Sequence, residues 1–121
     1  MIKTGLIGNG YWGKKISDKL DKLSNKIFIQ TTSNYNTELF RNVDWVFIAT
    51  PASTHFKIAK DAIEEGVNVF LEKPFCSNTN EAVELIRLAQ KNKIFLYVDN
   101  FFLYRSELQN LIQKNYIRLV I

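Results

Sequence analysis

Lys3-Thr4-Gly5-Leu6-Ile7-Gly8-Asn9-Gly10-Tyr11-Trp12-Gly13-Lys14-Lys15 carries an apolar run, a glycine turn and the start of a helix pattern in direct succession. Ile2 to Ile7 is a short apolar run suited to a buried strand. A helix pattern follows from about Lys14 to Ser24, with Ile16, Leu20 and Leu23 at i, i+4 and i+7. Between them stand three glycines, each meeting a steric demand: a tight turn at Gly8, close backbone approach to a pyrophosphate at Gly10, and helix–strand packing at Gly13. Free amides at the start of the helix then face the phosphates. The glycine spacing alone is weak evidence. Its place between a first strand and an amphipathic helix strengthens it, although a tight turn without a ligand reads the same way.

The rest of the chain repeats the strand-then-helix pattern. Ile27 to Thr31 is a second strand candidate, followed by the turn-rich Ser33–Thr37 and by Glu38–Arg41, which makes only a helical turn or two. Val43 to Ala49 is a strong strand stopped by Thr50-Pro51. A helix from about Thr54 to Glu65, capped by Ser53 or Thr54, places Phe56, Ala59, Ala62 and Ile63 inward and ends at Gly66. Val67 to Leu71 is the next strand. Asn78 or Thr79 then caps a helix through about Lys91, with Ala82, Val83, Ile86 and Ala89 on its inner face. Ile94–Val98 reads as a strand, Ser106–Lys114 as a helix with Leu108, Leu111 and Ile112 inward, and Tyr116–Ile121 as a final strand. Strands that are apolar runs, alternating with helices, predict a doubly wound parallel α/β sheet covered on both faces. All 121 residues fit one domain.

Composition excludes several classes. The single cysteine, Cys76, rules out an internal disulfide and any multi-cysteine zinc site, so no metal is expected and a reducing, cytoplasmic setting fits. No apolar run approaches the ~20 residues that span a bilayer, and the first residues lack a leader pattern, so a soluble protein without a membrane partner is expected. The net charge is +4. Lys14, Lys15, Lys19, Lys22 and Lys26 are interrupted by Asp18 and Asp21 at helical spacing, which suits a solvated helix face better than a nucleic-acid groove.

Three further segments carry candidate chemistry, each directly after a strand. Ala49-Thr50-Pro51-Ala52-Ser53-Thr54-His55-Phe56 stands where open α/β sheets bind ligands. His55, the only histidine, reads as a packing or backbone-bonding residue before it reads as a general base, and a helix N-terminus disfavours its charged form. In Phe70-Leu71-Glu72-Lys73-Pro74-Phe75 a proline fixes the backbone around a charged pair, so the Lys73 ammonium is aimed. Such a lysine binds a cofactor ribose, or binds a substrate hydroxyl and favours its deprotonation; a surface salt bridge is the plainer alternative. Val98-Asp99-Asn100-Phe101-Phe102-Leu103-Tyr104-Arg105 reads equally as a ligand crevice or an ordinary connection.

Taken together, GLIGNGYWGKK, VDWVFIATPASTHFKIAKDAIEEGVNVFLEKPF and the segment around VDNFFLY resemble the N-terminal Rossmann domain of the Gfo/Idh/MocA oxidoreductases, most closely their sugar-modifying branch. The resemblance runs from Lys3 to about Leu119. It implies an NAD or NADP cofactor, hydride transfer at a hydroxyl-bearing carbon of a sugar, sugar nucleotide or polyol, and Lys73 as the catalytic residue. It also implies that Gly8, Asn9, Gly10, Tyr11, Trp12, Gly13, Thr50, Pro51, His55, Glu72, Lys73 and Pro74 bind the cofactor.

Two departures from the family pattern stand out. The family's acidic residue after its second strand, which holds the adenosine ribose, is replaced by Gln30-Thr31-Thr32-Ser33-Asn34. That neutral stretch tolerates a 2′-phosphate, but no arginine stands beside it in sequence. The interval from Gly13 to Asp44 is short by about one strand and one helix. Ile27–Thr31 is then either the second strand without its helix or, in the better-aligned reading, the third strand with the second lost. The family's C-terminal sheet domain, with its proton-transfer residues, is absent from the 121 residues; 116–121 resemble its first strand, and Asn100 replaces a frequent histidine. The chain alone is therefore expected to be catalytically incomplete, and a non-catalytic remnant or nucleotide-binding module is the alternative.

Overall fold

Residues 1–99 are described by a computed structural model; the segments at 100–105, 106–114 and 116–121 lie outside them. Five parallel strands form one sheet: β1 (Lys3–Ile7), β2 (Asn25–Gln30), β3 (Trp45–Ile48), β4 (Asn68–Leu71) and β5 (Leu96–Val98), in the order β2-β1-β3-β4-β5. Helix α1 (Tyr11–Leu23) joins β1 to β2, α2 (Ala52–Glu64) joins β3 to β4, and α3 (Thr79–Lys91) joins β4 to β5. A 3₁₀ helix, Thr37–Asn42, lies on the path from β2 to β3. This is the expected Rossmann-like doubly wound α/β architecture. The strand order reverses at β1, between β2 and β3, and ligands of open parallel sheets bind outside such a switch point.

Register settles the identity of the second strand. Lys3 to Ile7 pair in parallel with Asn25 to Gln30, so β2 lies directly beside β1, in the second-strand position. The expectation that this segment is the third strand is overturned. What the short interval lacks is the helix and strand that ordinarily follow β2, and the 3₁₀ helix stands in their place.

The core lies between the sheet and α2 and α3. Val46, Ile48, Val69 and Leu71 pack on Ile58, Ala59, Ala62 and Ile63, with Leu85 and Ala89 behind them. Gly66 closes α2 at φ +79, with its N–H on Ile63 O at 3.0 Å and that of Val67 on Ala62 O at 3.1 Å. This paired closure requires a left-handed residue. Asn78 caps α3 by accepting from Glu81 N at 2.9 Å.

Several expected details differ. Helix α1 begins at Tyr11 rather than near Lys14, because the last two residues between the glycines already turn helically. Neither Ser53 nor Thr54 caps α2; Pro51 holds that position, and Thr54 Oγ1 donates to Pro51 O at 2.6 Å. Leu23 and Val83 face solvent, and α3 buries Leu85, Leu88 and Ala89 instead. Strands β3 and β4 alternate rather than bury fully. Their outward residues Trp45, Phe47 and Phe70 form a half-buried aromatic row continued by Tyr97, with Phe47–Phe70 and Phe70–Tyr97 ring centroids 4.8 and 5.1 Å apart. Helix α1 packs on this second face against β1 and β2.

Candidate functional site

Because all five strands are parallel, the segments with candidate chemistry meet at one edge of the sheet. Gly8 follows β1, Thr50 and Pro51 follow β3, Glu72 and Lys73 follow β4, and Asp99 follows β5. Gly8 has φ +120, and its N–H bonds Gln30 O at 2.8 Å. A Cβ there would land on the Ala49 carbonyl, and one on Gly13 would land on the Gly8 carbonyl. Those two glycines are required by the protein's own packing. Gly10 is different: a Cβ built on it meets nothing within 4 Å, so the protein itself leaves that approach open.

Gly10 is the N-cap of α1, without a side-chain cap and without an acidic residue in the first turn. Lys14 N bonds back to Gly10 O at 2.9 Å; the amides of Tyr11, Trp12 and Gly13 have no carbonyl one turn earlier. Unshielded donors, the positive end of a helix dipole and an open approach suit a bridging pyrophosphate. The groups present thus fit a dinucleotide. The rings of Tyr11 and Trp12 are exposed beside them, with Lys15 Nζ 4.5 Å and 5.1 Å from their centroids.

His55 is fully buried. Its Nε2 lies 2.8 Å from Thr50 O, and its Nδ1 lies 2.8 Å from Pro74 O and 3.2 Å from Phe75 O. The ring ties the segment after β3 to the segment after β4, so it supports the cleft walls rather than presenting a nitrogen to them. Lys73 and Pro74 are exposed, joined by a cis peptide bond. Glu72 is partly buried against Asp99, and its carboxyl is raised above the usual range by burial first and by the Asp99 carboxylate second; Lys73 offsets this in part. Thr50 Oγ1 lies 2.6 Å from Thr54 Oγ1.

A second cluster has no counterpart among the sequence motifs. Between the loop after β2 and the first half of α2 lies a cavity of about 630 Å³, lined by Thr32, Ser33, Tyr35, Lys57 and Asp61 among others. Tyr35 Oη donates to Asp61 Oδ2 at 2.7 Å, and Lys57 Nζ donates to both at 3.1 Å. Burial and the Asp61 hydrogen bond raise Tyr35, while Tyr35 and Asp61 raise Lys57. The i, i+4 pair Lys57–Asp61 is the only sequence signal, and it reads as ordinary helix surface. Among the described residues no group of three or more histidines, cysteines or acids is placed to hold a metal. No helix there is long and apolar enough to cross a membrane.

A glycine turn at the switch point of a parallel sheet, with polar segments after the neighbouring strands, defines a Rossmann-type α/β domain. The family model described as "Oxidoreductase family, NAD-binding Rossmann fold" matches residues 14–100, and the chain belongs to this Gfo/Idh/MocA family. The UDP-N-acetylglucosamine 3-dehydrogenase of Acidithiobacillus ferrooxidans is 32% identical over 113 residues, covering 80% of this chain and 36% of the relative. A solved structure of that dehydrogenase superposes with a TM-score of 0.81 over 95% of this chain and 42% of its own, at 29% identity. The D-xylose 1-dehydrogenase (NADP(+)) of Hypocrea jecorina is 44% identical over 55 residues, 46% of this chain and 14% of its own. The chain therefore spans little more than a third of the first relative's length.

Proposed function

We propose that the chain is the cofactor-binding domain of an oxidoreductase that moves a hydride between NAD or NADP and a hydroxyl-bearing carbon of a sugar-like substrate. The observation that carries the reading is the open approach at Gly10 beside the uncapped α1 amides. Gly8 and Gly13 shape the turn, Gly10 admits the pyrophosphate, and the Tyr11, Trp12 and Gly13 amides bond it. The exposed Asn9 side chain, the Tyr11 and Trp12 rings, and Thr50 and Pro51 flank the bound chain of atoms. His55 holds the segments after β3 and β4 together.

The nicotinamide, when bound, supplies the hydride donor or acceptor. Lys73, exposed after β4, donates a hydrogen bond to the reacting oxygen of the substrate and favours its deprotonated form. Glu72 and Pro74 fix the path of that segment. The name of the Acidithiobacillus ferrooxidans relative, a UDP-N-acetylglucosamine 3-dehydrogenase, makes a UDP-linked amino sugar the first substrate to try. The lone cysteine fits a cytoplasmic setting, and no nucleic-acid or membrane partner enters this reading.

The test is a pair of measurements on Lys73→Ala. In the enzyme assembled with its sheet domain, turnover of UDP-N-acetylglucosamine with NAD or NADP should fall by at least about 100-fold, the low end for loss of a positioned proton-transfer group. Dinucleotide affinity should change by less than about threefold, because the pyrophosphate site is intact. Unchanged turnover removes Lys73 from the reaction.

A further inference from the structure

We infer that Lys57 makes the cavity between the β2 loop and α2 a 2′-phosphate site, so that the chain prefers NADPH to NADH. This rests on the dinucleotide reading above and specifies which cofactor it takes.

Position comes first. The glycine turn follows β1, and the cavity walls are the loop after β2 and the helix after β3, the elements on either side of it. A dinucleotide with its pyrophosphate on the Gly10 amides therefore has its adenosine half directed toward the end of β2, where the ribose hydroxyls are read in folds of this kind. The bond from Gly8 N to Gln30 O, 2.8 Å, shows how close the two segments lie.

Chemistry comes second. Preference for NAD needs a carboxylate that accepts both ribose hydroxyls and repels a phosphate. Residues 30–34, Gln-Thr-Thr-Ser-Asn, hold no acid. The acid that does line the cavity, Asp61, has Oδ2 held by the Tyr35 hydroxyl at 2.7 Å, a bond that does not depend on Lys57. Thr32 and Ser33 line the same space. Thr31 and Asn34 brace the loop beneath them through the Thr31 Oγ1 to Asn34 Oδ1 bond at 2.5 Å.

The cation comes third. The Lys57 side chain is 76% exposed although paired to Asp61. A lysine on a flexible stem re-aims its ammonium at little cost, because an exposed pair of this type is held only weakly against water. A phosphate dianion offers it a stronger partner, with the Thr32 hydroxyl as a further donor.

The experiment is calorimetric titration of the chain with NADPH, NADH, 2′,5′-ADP and 5′-AMP. NADPH should bind about 10- to 100-fold more tightly than NADH, the range expected of one hydrogen bond between charged groups. 2′,5′-ADP should exceed 5′-AMP by a similar ratio. Lys57→Met should bring both ratios near one while leaving NADH affinity within about threefold, and Lys57→Arg should retain them. The residue is exposed, so circular dichroism should show both variants folded. Equal binding of NADPH and NADH, or ratios that survive Lys57→Met, overturn the assignment and leave the dinucleotide reading standing. Binding of neither dinucleotide overturns that reading and this one with it.

Discussion

Gly10 and Gly13 stand three residues apart, and the structure predicts opposite consequences for the same added methyl group. At Gly13 the new Cβ collides with the Gly8 carbonyl, a backbone atom that cannot swing aside. Overpacking of this kind costs about 1–3 kcal/mol, and a fixed backbone partner places it near the upper end. Replacing a helical glycine returns about 1 kcal/mol, so the net loss is about 2 kcal/mol. For a domain of this size that lowers the Tm by roughly 8–16 °C. At Gly10 the Cβ meets nothing, and φ is −84, which alanine adopts freely. Alanine is a poor N-cap, at a cost of about 0.5–1 kcal/mol, but the stiffer unfolded chain offsets most of it. Gly10→Ala should therefore melt within about 4 °C of the parent and bind NADPH at least ~10-fold more weakly, because the methyl occupies the phosphate approach. Thermal denaturation and calorimetry on the two variants check both halves. A Gly10→Ala variant that melts as low as Gly13→Ala, or that binds dinucleotide as well as the parent does, would show that Gly10 is not an open phosphate approach.

Other perturbations give separate checks. His55→Ala removes a fully buried ring and leaves the Thr50 and Pro74 carbonyls without their partner, so urea denaturation should show a loss of about 3 kcal/mol. Cys76 is pushed up to about 11 by burial first and Glu81 second. Its thiolate fraction at pH 8 is then about 0.1%, and iodoacetamide should modify it far more slowly in the folded chain than in urea. Glu72 is raised by burial and by Asp99, so the folded state binds the extra proton and stability falls as pH rises from about 4.5 through the folded value. Glu72→Gln should flatten that decline, and an unaltered pH profile of urea midpoints would count against the cause assigned.

The sequence carries most of the fold because each βα unit states its own periodicity. Strand positions and the inward faces of α1 and α2 are local properties of an apolar run or an i, i+4 pattern. Leu23 and Val83 mislead for the same local reason: both lie near an apolar stripe, and only the helix's seat on the sheet decides whether they are covered. Register is not legible either. Whether Ile27–Thr31 is the second or third strand depends on its neighbour, which the β1 pairing supplies.

The site divides similarly. The glycine turn and the segments after β3 and β4 can be read because each is contiguous. Their convergence on one edge follows from parallel strands alone. The Tyr35–Lys57–Asp61 cluster cannot, since Tyr35 joins residues 22 and 26 positions away that look like plain helix surface. The family resemblance makes His55 a lining residue of the cleft; burial and three carbonyl neighbours make it a support for its walls.

Amide chemical shifts followed during titration with NADPH report whether the turn between β1 and α1 holds a dinucleotide pyrophosphate. Saturable shifts largest at Gly10, Tyr11, Trp12 and Gly13 are predicted. Shifts confined to the aromatic row of Trp45, Phe47 and Phe70, or none at any amide of the turn, would contradict it.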